Sequence, residues 1–239
     1  MRRLLVVLVV LGLLLVGVDL GAKMLAERKI GDEIAQARDL STAPGVDIGG
    51  FPFLVQAWRG QLSSITVHSA DLKQDDIELH NVRATLTDVD APIREIVAGT
   101  TTPRFTAARA QVQGTVDYAS LAAALKARAQ TGTANQFVQL QDLSAAQGPD
   151  GAMLVKATAT VMGAPVSLSV PVKVGVDGGR LTLSASGAGD AVQSQAATQL
   201  FNSALPIPKL PYGLTVQRIT AEKDGLTVSA TASGVSATS

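Results

Sequence analysis

Val46-Asp-Ile-Gly-Gly-Phe-Pro-Phe-Leu-Val-Gln-Ala-Trp58 separates two kinds of sequence. Upstream the pattern is apolar and helical; downstream it alternates with a period of two. The stretch also gathers Phe51, Phe53 and Trp58 in a chain whose only aromatics are five Phe, two Tyr and one Trp. Gly49 and Gly50 open backbone angles closed to other residues, and Pro52 fixes φ between the two Phe rings. A stiff corner is expected here. Its rings either seal one end of a core, the simpler reading, or form an apolar lip where a greasy ligand enters.

Upstream, Arg2 and Arg3 precede Leu4–Val18, an unbroken apolar run. As a helix this run spans about 23 Å, short of a bilayer core of about 30 Å. Continuing through Asp19-Leu-Gly-Ala22 brings it close to full length. Leu20 is bulky for the outer position of a cleavage site ending at Ala22, so an uncleaved anchor is favoured over a cleaved signal peptide. Either way the arginines stay inside and the rest of the chain lies outside the cytoplasm. From Ala22 to Arg38, Ala26, Ile30, Ile34 and Ala37 recur at helical spacing. This predicts a juxtamembrane helix with a thin apolar stripe, lying against the domain or on the membrane surface. Leu40–Gly45 breaks it with Pro and Gly.

Downstream, Leu62–Ser69 alternates, and Ile77–Val89 changes parity near His80-Asn81, which predicts a β-bulge. Asp88–Pro92 reads as a turn into a short helix, Ile93–Ala98. Phe105–Tyr118 is a strand with Ala108, Ala110, Val112, Gly114, Val116 and Tyr118 on one face, and Ala119–Gln130 a helix. Gly132–Asn135 is a loop, followed by strands at Phe137–Leu143 and Met153–Val161. Val166, Leu168, Val170, Val172, Val174 and Val176 alternate with polar or small residues, and Pro171 suggests an edge strand or bulge. Asp177-Gly-Gly-Arg180 is a hairpin turn into Leu181–Ser186. Asp190–Leu205 is a strongly amphipathic helix, N-capped by Asp190 and ended by Pro206. Leu214–Glu222 and Leu226–Ala232 close the chain as a hairpin. Long hairpin-linked strands with few helices predict an α+β fold in which a curved antiparallel sheet packs on amphipathic helices.

The charge balance is even, 20 basic against 20 acidic residues, with no basic stripe, so nucleic acid is not an expected partner. The absence of Cys excludes disulfides, thiolate chemistry and a lipid-modified cysteine. Gly187-Ala-Gly-Asp-Ala-Val192 lacks the third glycine and the βαβ unit of a dinucleotide site and reads as a helix start. Asp88-Val-Asp90 is too small a set for a metal, and Asp71, Asp75 and Asp76 read as a solvated loop. His68 and His80 have no recognisable catalytic partner. No enzyme, metal or cofactor is expected. What remains is apolar strand surface, which forms a filled core or, in a curled sheet with few aromatics, the wall of an elongated cavity. Periodicity alone favours the filled core.

The Arg-led leader, the Val46–Trp58 run with Gly60, and the ending Leu205-Pro-Ile-Pro-Lys-Leu-Pro-Tyr-Gly-Leu214 before two strands resemble the LmeA family of actinobacterial envelope proteins. The resemblance implies a tubular lipid-binding architecture: a curved antiparallel sheet wrapped around a helix, with an apolar tunnel. It implies phospholipid binding, phosphatidylinositol species included, and support of lipomannan maturation. It carries over no catalytic residues. On this reading the division is 1–22 leader or anchor, 23–45 juxtamembrane helix and linker, 46–234 a single lipid-binding domain and 235–239 a flexible tail. The lipid-contacting candidates are Phe51, Phe53, Leu54 and Trp58 at the lip, Val166, Leu168, Val170 and Val172 on a strand, and Leu200, Phe201 and Leu205 on the amphipathic helix. The expected partners of this monomer are phospholipid and membrane; the alternative is a tethered scaffold with a filled core.

Overall fold

The computed structural model describes residues 2–37, 40–74, 77–91, 104–131, 138–161, 164–185, 203–206 and 210–238. One unbroken helix, α1 (Arg2–Ala37), joins the expected leader to the juxtamembrane segment. No helix-breaking residue lies between them, and Gly17 and Gly21 carry too small a penalty to stop a helix of this length. Then come β1 (Gly45–Gly49), α2 (Phe53–Arg59), β2 (Gln61–Gln74), β3 (Ile77–Asp90) and β4 (Arg104–Val116), followed by α3 (Tyr118–Thr131). The second half contains β5 (Val138–Gln147), β6 (Met153–Val161), β7 (Ala164–Asp177), β8 (Arg180–Ala185), β9 (Ser203–Pro206), β10 (Thr215–Glu222) and β11 (Gly225–Thr238).

The expected α+β class holds, but the strands divide into two sheets rather than one. The first runs β1-β2-β3-β4-β11-β10, the second β5-β6-β7-β8-β9, and every described pairing is antiparallel. Hairpins impose this order: Asp177 pairs with Arg180 across Gly178 and Gly179, both at positive φ, and Glu222 pairs with Gly225. The sheets meet where β10 faces β7, and α3 lies along β5 and reaches β3. Two apolar clusters result. One gathers Ile48, Phe53, Leu62, Val89, Ala107 and Ala110 under the first sheet, with Ala26 of α1. The other gathers Met153, Val155, Val170, Val172, Ala221 and Leu226 where the sheets meet.

The first cluster depends on a crease across four strands. Ile65, Leu86, Ala110 and Ala232 form one cross-strand row, with Ile48 paired to Ile65. Leu62, Val89, Ala107 and Val235 form a second row three residues further along each strand. An odd offset should place these rows on opposite faces, because strand side chains alternate. Both nevertheless face the core, since the ladder skips Ser63 opposite Asp88 and Ala108 opposite Gly234. Asp88 (φ 52°) and Gly234 (φ 63°) absorb the extra half-turn in the left-handed region.

Several expectations change. Asp88–Asp90 is part of β3 and not a turn. Ala107, not Ala108, faces the core at its end of β4, because the crease reverses parity there. β7 is flanked by β6 and β8 and is no edge strand; Pro171 lies one residue beyond the described register with β8, which starts at Val172. Ser203–Pro206 is strand β9 paired with β8 rather than the end of a helix, so Leu205 lies opposite Leu181. Of the residues expected to form a tail, 235–238 belong to β11, and Val235 is buried against Ala107. The bulge at His80-Asn81 is present, with a register shift and Asn81 at φ 52°. Residues 93–98, 132–135, 187–192 and the rest of the expected 190–205 helix up to 202 lie outside the described residues.

Candidate functional site

The Val46–Trp58 stretch forms β1, a corner and α2. Gly50 (φ 92°) turns the chain, and the Phe51–Pro52 peptide is cis. A side chain at Gly50 would meet the amide of Gln56 and the hydroxyl of Ser63, so only glycine fits. Pro52, at the N-cap, provides no side-chain cap for α2. The cap comes from another helix. The Asp19 carboxylate of α1 accepts hydrogen bonds from the Phe53 N–H at 2.9 Å and the Leu54 N–H at 2.7 Å. Asp19 is 4% exposed, and the positive end of α2 is what makes a buried carboxylate tolerable there.

Two further ties lock α1 to the domain. Glu27 accepts the outward-facing N–H of Ile48 on edge strand β1 at 2.8 Å, satisfying a donor the ladder leaves open. Lys23 pairs with Asp47 at 3.1 Å and Glu27 at 3.4 Å. Gly31 is buried where the helix crosses the linker, and a methyl group there would stand 2.8 Å from the Pro44 carbonyl oxygen.

The sequence-derived candidates separate by exposure. Phe53 is core at 4% exposed, whereas Phe51 (64%) and Trp58 (72%) stand out, with Leu54 and Val55 beside them on α2. Phe53 of the corner thus packs into the core, while Phe51 and Trp58 are left on the surface. Val170 and Val172 are fully buried where the sheets meet. Val166 and Leu168 lie on β7 and Leu205 on β9, while Leu200 and Phe201 fall outside the described residues. The described geometry does not bring the corner and the β7 candidates into one cluster: Phe53 belongs to the first core, Val170 and Val172 to the second.

Sequence reading missed a polar groove of about 360 Å³ beside the corner, lined by Gln56, Arg59, Gln61, Ser63, Asp88 and Asp90 over Leu62 and Val89. Gln56 Oε1 accepts from the Ser63 N–H at 2.8 Å and hydroxyl at 2.9 Å, so α2 forms one bank and the crease the other. The two carboxylates and one guanidinium supply both acceptors and donors for a polar ligand. The groove is invisible in sequence because Asp88 reads as a turn residue until the crease is known. Elsewhere, His80 lies 2.6 Å from Asp71 and 3.5 Å from Asp117. Among the described residues no group of three or more His, Asp and Glu side chains is arranged to hold a metal ion.

These features define an antiparallel α+β domain locked onto one long apolar helix, with exposed apolar side chains and a polar groove at the junction. The model of the LmeA-like phospholipid-binding family matches residues 17–231, nearly the whole chain and Asp19 with it. The chain belongs to that family, and membership supports phospholipid binding. Neither a curated protein nor a solved structure matches it.

Proposed function

We propose that the chain is a non-enzymatic phospholipid-binding protein that holds or transfers lipid on the outer side of the cytoplasmic membrane. The observation that carries this reading is the family match across residues 17–231. Acyl chains occupy an apolar tunnel along the strand faces beyond the closed cluster of Val170 and Val172, where each buried methylene contributes about 0.8 kcal/mol. The polar groove at α2 and the crease suits a headgroup bearing a phosphate and hydroxyls, because Arg59 can donate and Asp88 and Asp90 can accept. Inositol phospholipids and lipomannan maturation are the ligand and pathway implied by the family likeness. The protein acts as a monomer, with α1 as its anchor.

The test is native mass spectrometry of the purified chain, followed by incubation of delipidated protein with labelled phospholipid vesicles. Co-purified phospholipid and extraction above that of an unrelated exported protein are expected. A second reading, a tethered scaffold with a solid interior, draws on the complete burial of Met153, Val155, Val170 and Val172. A lipid-free mass together with no extraction would select it.

A further inference from the structure

We propose that the Phe51–Trp58 corner is a foot inserted into the outer face of the bilayer that α1 crosses, held at a fixed depth by Asp19. This rests on α1 spanning the membrane and not on the identity of any cargo.

The helix supplies the depth scale. From Leu4 to Leu25 the large apolar side chains of α1 are exposed, between 40% for Val16 and 68% for Leu4 and Leu25. At 1.5 Å per residue this run covers about 32 Å, the thickness of a hydrocarbon core of about 30 Å. Asp19 lies about 9 Å short of Leu25 along the axis, within the outer part of that span. A carboxylate at this depth is costly when it faces lipid. Here α2 covers it and donates two backbone N–H groups to it, so α2 is itself brought to that level.

The face that α2 turns outward matches such a position. Phe51, Leu54, Val55 and Trp58 are exposed at 64, 44, 43 and 72%, and Leu20, Met24 and Leu25 of α1, the helix that holds α2 through Asp19, are exposed as well. Anchor and foot thus both present exposed apolar side chains on either side of the Asp19 junction. Trp at a membrane–water boundary is the placement that its ring and indole N–H favour. Arg59, at the C-terminal end of α2, can extend toward the headgroups from that level. The same lock requires that α1 stay attached, because cleavage after Ala22 would remove Asp19.

The full chain is reconstituted into phosphatidylcholine–phosphatidylglycerol vesicles, and Trp58, the single Trp, is the probe. Blue-shifted emission is expected, quenched by a doxyl label near the top of the acyl chain and protected from aqueous iodide. Leu54→Ser with Val55→Ser should restore iodide quenching, and Asp19→Ala should do the same by releasing α2. Emission quenched by iodide and untouched by doxyl lipid in the wild type would overturn the inference. Shielding from both quenchers would overturn it as well, in favour of a protein partner or a second copy on this face. A mature chain found by intact mass to begin after residue 22 would also sink it. The phospholipid reading is scored separately: co-purified lipid with an iodide-accessible Trp58 rejects only the foot, and a membrane-seated Trp58 without lipid uptake rejects only the carrier.

Discussion

Asp19 and Asp117 each cap the start of a helix, and neither stood out as a cap in the sequence, where the strand expected over Phe105–Tyr118 runs past Asp117. Asp117 caps its own helix: its carboxylate accepts the Ser120 N–H and hydroxyl, each at 2.7 Å. Asp followed by a helical run is a local signal, here masked by the expected strand. Asp19 caps a helix 34 residues away, and in sequence it is merely a charge ending an apolar leader. The Ser120 N–H, then its hydroxyl, with a smaller contribution from the Ala119 N–H and His80, hold the Asp117 carboxyl below the ordinary range against an opposing effect of burial. A folded pKa below the unfolded one stabilises the fold above the unfolded value of about 3.9, and this stability drains as pH falls through the lower folded value. Asp117→Ala should therefore cost about 1 kcal/mol at neutral pH, and Asp117→Asn, which keeps an acceptor but loses the charge, an intermediate amount. Urea midpoints of wild type and Asp117→Ala should converge as the pH is lowered past the carboxylate range. A gap that stays constant would mean that the cap contributes nothing through its charge.

The strands were legible as elements and largely illegible as a sheet. Alternation located β2, β6, β7 and β11, and the parity change at His80-Asn81 marked a real bulge. Asp88 and Gly234 mark another irregularity, but in sequence Asp88 reads as the start of a turn and Gly234 falls beyond the last expected strand. Their effect exists only when the strands are aligned and the skipped pairs fall in one line. Pro171 misled for a related reason: a missing N–H matters only where a ladder needs it, and that depends on the neighbour. The cluster between the sheets can be probed at Met153, which is 2% exposed beside Val155, Val170 and Val172. Met153→Ala should cost about 2–5 kcal/mol in a urea titration of lipid-free protein. A loss below about 1 kcal/mol would mean that the surroundings close over the gap, and the packed wall drawn here would be wrong.

For the molecule as a whole, stability and cargo are coupled. A ligand that binds only the folded state raises its stability by about 2.7 kcal/mol when present at a hundred times its Kd. Delipidated protein should therefore melt at a lower temperature than protein given phospholipid in detergent micelles, while micelles alone should leave it unchanged; equal melting temperatures would argue against a bound lipid. The leader, the antiparallel α+β class, the lack of thiol chemistry and the likeness to a phospholipid-binding family could all be read along the chain. The first three rest on composition or on periodicity within one segment, and the likeness on the motifs at Val46–Trp58 and Leu205–Leu214. The sharing of work between Phe51 and Phe53, the two-sheet arrangement, the polar groove and the capture of α2 by Asp19 could not. They depend on which distant backbone donors and strand rows come into register, and local preference carries no information about that until the chain has folded.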